Sequence, residues 1–111
     1  MANSLVVEPR VLGRMSPIIE AVIRLYDIKH EALVQPGKSI RSITEARDVC
    51  CWLAKELKLP LTDDEIAASL NKGGSVTKVA VRRTNKLRAR DRWLRESTDQ
   101  LFNKLRQELV P

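Results

Sequence analysis

Apolar residues return at helical spacing through most of the chain, and nowhere do they alternate over a strand's length. Met1 to Arg14 show no such periodicity and are punctuated by Pro9 and Gly13, so they read as an arm or tail. Ser16-Pro17 has the form of a helix start, a hydroxyl cap followed by proline in the first turn. Ile18, Ile19, Val22, Ile23 and Tyr26 then predict a helix over about 17–26. His30 to Val34 predict a minor helix that Pro36-Gly37 ends.

Ser42-Ile43-Thr44-Glu45 matches the capping box, in which a hydroxyl and a carboxylate satisfy unpaired backbone N–H groups reciprocally. A helix of about fifteen residues is expected to follow, with Ile43, Ala46, Cys50, Leu53, Ala54 and Leu57 on one stripe. Trp52 falls nearly opposite that stripe, a place that suits either exposure or a second core contact, and the core contact is the ordinary outcome. Thr62-Asp63-Asp64-Glu65 is a second box, and Ile66, Ala67 and Leu70 make the short amphipathic helix behind it. Asn71-Lys72-Gly73-Gly74 then form a tight turn, where glycine tolerates left-handed backbone angles. Ser75 caps a longer helix reaching Arg88, with Val76, Val79, Ala80 and Leu87 inward. Ser97-Thr98-Asp99-Gln100 is a third box, opening a terminal helix on Leu101, Phe102, Leu105 and Leu109.

The whole is predicted to be an all-α bundle of about five to six helices. The 111-residue length permits one domain, placed at 15–111 behind an arm at 1–14. Aromatics at 4% and few glycines and prolines are poor material for a β-sandwich. No apolar run is long enough to cross a bilayer, and no secretion signal opens the chain, so a cytoplasmic protein is expected.

Charge changes the picture more than composition does. Residues 1–71 hold nine basic and ten acidic side chains, whereas 72–111 hold eleven basic and four acidic. Between Lys78 and Arg95 eight of eighteen residues are basic and one is acidic. Such density on a solvated helix is repulsive at i, i+4 unless an anion binds, which puts nucleic acid first among partners. An anionic membrane surface, an acidic protein or a plain solvated face would suit the same charge. Two helices joined by a Gly-containing turn, the second strongly basic, outline a helix-turn-helix.

Other chemistry finds little support. The two thiols, Cys50 and Cys51, are neighbours, which disfavours a disulfide and suits core filler in a reducing compartment. His30 is the lone histidine and no CxxC occurs, so neither a metal nor another cofactor is expected. The acids at 63–65 suit a helix cap better than catalysis, and an enzyme is not expected.

Several segments resemble the C-terminal DNA-binding domain (domain IV) of the bacterial replication initiator DnaA. "IIEAVIRLYDIKHEALV" is similar to that family's opening helix, "ARDVCCWLAKEL" to its "PRQMAMYLAKEL"-type helix, and "LTDDEIAASLNKGG" to its "LPEIGDAFGG" segment. "GGSVTKVAVRRTNKL" aligns without gaps to "GGRDHTTVLHACRKI". The resemblance spans about residues 15–110 and implies a Trp-repressor-like helix-turn-helix that binds double-stranded DNA. Its signature after the paired glycines reads Arg-Asp-His-Thr-Thr, and this chain has Ser75-Val76-Thr77-Lys78-Val79 instead. The same alignment implies backbone or minor-groove contacts for Lys38, Arg41 and Arg47.

Within the basic helix Thr77, Lys78, Val81 and Arg82 are the candidates for reading base edges, because Lys and Arg suit guanine and an apolar contact suits thymine. Ser75, Asn85, Lys86 and Arg88 are candidates for phosphate, since positioning contacts outnumber base contacts. No phosphate loop of the form G-x-x-x-x-G-K-[ST] is present, so no nucleotide is expected as a partner. The expectation is a sequence-specific DNA-binding regulator of transcription or replication, associated with the nucleoid, as monomer or dimer. The alternatives are a non-specific architectural DNA-binding protein and a module for an acidic protein partner.

Overall fold

The computed structural model describes residues 7–35, 40–73 and 75–109. Within them the chain is all-helical, in the order α1 (Pro9–Tyr26), α2 (His30–Val34), α3 (Arg41–Glu56), α4 (Asp63–Ser69), α5 (Val76–Arg90) and α6 (Arg92–Leu109). α3 is the central helix and touches all the others. The expected stripe is buried, but so are Val49, Cys51 and Trp52 on its other sides. The bundle therefore closes round one helix.

α1 starts earlier than the sequence suggests. Pro9 opens it, Pro17 lies inside it, and Pro9 to Arg14, expected in the arm, are helical. The reason is packing: Val11 and Met15 extend the stripe of Ile18, Ile19 and Val22 by two turns, and all five are buried. Proline within a helix removes one hydrogen bond and crowds the carbonyl four residues back, which here belongs to Gly13. Arg10 pairs with Glu65 of α4 and ties the added turns down.

The three capping boxes fare differently. Thr62 and Glu65 form theirs, with Thr62 Oγ1 accepting from Glu65 N–H at 3.1 Å and Glu65 Oε1 accepting from Thr62 N–H at 2.9 Å. These bonds and Arg10 hold the Glu65 carboxyl below its usual value. The box at Ser42 is not made, because α3 already begins at Arg41 and Glu45 instead accepts the Tyr26 hydroxyl at 2.6 Å. The box at Ser97 lies inside α6. Asp91 caps that helix, its Oδ1 accepting Leu94 N–H at 3.0 Å, and Thr98 is buried with its hydroxyl donating to Leu94 O at 2.7 Å.

Left-handed residues end three helices, at Asp27, Lys58 and Asn71. Among the described residues after α4 Asn71 is left-handed and Gly73 is not. Asn71 also donates through Nδ2 to Val34 O at 3.1 Å, so the turn before α5 is fastened to the end of α2. Tyr26 and Trp93 meet edge to face at 5.8 Å and join α1 to α6.

Cys50 and Cys51 are both fully buried, as core filler should be. Burial pushes the Cys51 thiol up to about 12 and that of Cys50 well above its ordinary value. Since the thiolate is the reacting form, neither should titrate with a disulfide reagent at neutral pH until the protein is unfolded. Both are expected to react in denaturant. A stoichiometric reaction of native protein within minutes would place one of them at the surface.

Candidate nucleic-acid interface

α5 packs its Thr77, Ala80 and Thr84 side into the bundle, chiefly against α3. The opposite side is left to solvent, and on it Lys78, Arg82 and Lys86 follow one another at i, i+4 and i+8. That row spans about 12 Å of helix, the width of a DNA major groove. No acidic side chain pairs with any of the three among the described residues. Ser75, Asn85 and Arg90 are exposed around the row, and Arg41 is exposed at the start of α3.

Four of the residues expected at a DNA surface are set differently. Thr77 is 1% exposed, and its hydroxyl donates to Asp63 O at 2.8 Å, which pins α5 to the start of α4. It cannot reach a base. Val81 is partly buried and packs on the core, so it stands at the inner edge of the row.

Arg47 is 6% exposed and donates through Nε to Leu33 O at 2.9 Å. Burial lowers its pKa, and its charge faces the carbonyl end of α2, where a cation offsets the helix dipole. Lys72 does similar work there, donating to Gln35 O at 3.4 Å. The expected nucleic-acid contact at Arg47 is therefore corrected to a structural one.

Arg88 is likewise engaged internally. Its guanidinium lies 4.4 Å over the Trp52 ring and donates to Asp99 Oδ1 at 2.9 Å, to Arg95 O at 3.2 Å and to Thr98 Oγ1. It joins α3, α5 and α6 and is not free for phosphate. Trp52 is the core contact expected, 4% exposed, and its Nε1 donates to Asn85 Oδ1 at 2.9 Å. Asn85 thus keeps its amide N–H groups for an outside partner and spends its carbonyl inside. Lys38 lies outside the described residues.

Two cations on α5 were missed as structurally informative. Arg83 donates through Nε and Nη2 to both oxygens of Asp48, each at 2.9 Å, clamping α5 to α3. Arg90, exposed at the end of α5, lines with Lys86 the α5 side of a groove whose α3 side carries Arg41. The only sequence signal for these was the run of basic residues itself, which does not say which member turns inward.

Among the described residues no group of three or more His, Cys, Asp or Glu is placed to hold a metal ion. No described helix is long and apolar enough to cross a membrane. No protein-family model matches the sequence, and no curated protein is detectably similar to it.

Proposed function

We propose that the protein binds double-stranded DNA sequence-specifically and regulates transcription or replication, with α4 and α5 as its helix-turn-helix. The observation that carries this reading is the outward row Lys78, Arg82 and Lys86, cationic and with no acidic partner among the described residues. Thr77 is taken up by the turn, so base reading falls to Lys78 and Arg82, with the Asn85 amide N–H groups beside them. Lys86, Arg90 and Arg41 supply phosphate contacts along the groove beside them. The likeness to the DnaA C-terminal domain points the same way and implies a Trp-repressor-like mode of docking. The protein works in this reading as a binding module of the nucleoid, not as an enzyme.

The test is selection from a random duplex library at about 150 mM salt, then titration of the selected duplex against a scrambled one. A defined motif bound at least about a thousandfold more tightly than the scramble is expected. Arg82→Ala should weaken the selected duplex by about 1–3 kcal/mol and relax one position, whereas Lys86→Ala should weaken every duplex alike. Binding without enrichment and with a steep salt dependence would make the protein architectural. Failure to bind duplex at all would leave an acidic protein as the partner for α5.

A further inference from the structure

We infer that the groove between α3 and α5 binds a small phosphate monoester carried on an apolar body. It is an open groove of about 350 Å³, within the roughly 300–1,000 Å³ of small-molecule sites. Leu87 and the two threonines, Thr44 and Thr84, supply apolar surface to its walls. Arg41 stands on the α3 side, and Lys86 and Arg90 on the α5 side.

Charge selects the ligand. The groove is lined by four cations and two carboxylates, a balance of +2. Both carboxylates already have partners: Asp48 is held by Arg83, and Glu45 accepts the Tyr26 hydroxyl. Arg41, Lys86 and Arg90 have no ion pair among the described residues and are left for an incoming anion. A phosphate monoester dianion neutralises the excess, whereas a carboxylate leaves half of it.

A second observation points to a ligand. Thr84 lines the groove at 2% exposure, and its Oγ1 finds no hydrogen-bond partner among the described residues. A buried hydroxyl without a partner is costly, and an oxygen of the bound ligand would supply one after a small local shift. An apolar body against Leu87 separates this ligand from a DNA phosphate, which presents only its charged oxygens to the rim.

The inference stands apart from DNA binding, since the groove is titrated with no DNA present. Phenyl phosphate is added to the full chain, and backbone amide shifts are followed by NMR. Saturable shifts confined to residues 41–48 and 83–90 are expected, with inorganic phosphate at least about tenfold weaker because it lacks the apolar ring. The exposed pair Lys86→Gln with Arg90→Gln should weaken phenyl phosphate by about tenfold or more. Thr84→Val should weaken it about tenfold or more, the loss of one hydrogen bond to a charged phosphate oxygen. Equal affinity for inorganic phosphate would reduce the groove to rim charge attracting any ion and overturn the proposal. So would shifts centred on Lys78 and Arg82, or none that saturate.

Discussion

Reversing the charge at Lys78 and Arg82 together should lower duplex affinity by about a hundredfold or more at about 150 mM salt, and leave the fold intact. Both side chains are exposed and neither has an ion-pair partner among the described residues, so little internal contact is lost. Each reversal removes an attraction to phosphate or guanine and substitutes a repulsion, which is why the effect exceeds that of truncation to alanine. The loss should be larger on the selected duplex than on a scrambled one, because these two side chains read bases while phosphate neutralisation rests with Lys86, Arg90 and Arg41. The control is Lys104→Glu with Arg106→Glu on α6, exposed residues whose reversal gives the same net charge. If α5 is the DNA-facing element, the control loses less than about tenfold, since only the general field changes. Equal losses in both double variants would mean that total charge alone governs binding and that α5 has no special place. Thermal unfolding of the two variants should agree within a few degrees, because solvent-exposed substitutions of this kind change stability by about half a kcal/mol or less.

The fold class and most of the element order are legible in the sequence because each helix carries its own periodic stripe and stop signals. Errors arise where two local signals compete and tertiary packing decides. Ser16-Pro17 has the form of a helix start, but Val11 and Met15 reach the core and carry α1 past it. Ser97-Thr98-Asp99-Gln100 reads as a cap as well as Thr62-Asp63-Asp64-Glu65 does, yet Asp91 has already started α6, and Thr98 is spent against Leu94. The same competition limits the site. The charge run marks α5, but Arg83, Arg88 and Lys78 have equal standing in sequence. What separates them is that Asp48 and Asp99 stand opposite the first two, while Lys78 has no ion-pair partner among the described residues. Thr77 and Arg47 are lost for a related reason, as both are polar residues whose partners, the Asp63 and Leu33 carbonyls, are backbone atoms that no side-chain pattern reveals.

Removing either partner of the Asp48–Arg83 pair should destabilise the protein, and unequally. The Asp48 side chain is 9% exposed, while that of Arg83 is 54% exposed. In Asp48→Asn the freed guanidinium returns to water, and the amide can still accept one of its hydrogen bonds, so a loss of about 1 kcal/mol is expected. In Arg83→Met a carboxylate is left in a desolvated position between α3 and α5. Breaking a fully buried pair costs about 3–5 kcal/mol; with one partner half in water the expected loss is nearer 2 kcal/mol. Acid separates the two variants further. Burial raises the Asp48 carboxyl above its ordinary value, and the Arg83 guanidinium pulls it part of the way back. A carboxyl raised in the folded state binds its proton more tightly there than in the unfolded chain. Its contribution is therefore fullest below the unfolded value and declines as pH rises through the folded one. Without Arg83 the rise is larger, so Arg83→Met should recover stability relative to wild type as pH falls from 7 to about 5, and Asp48→Asn should not. Urea unfolding of the three proteins at both pH values measures this. Equal losses for the two variants, unchanged by acid, would make the pair a solvated surface contact and leave apolar packing alone to hold α5 on α3.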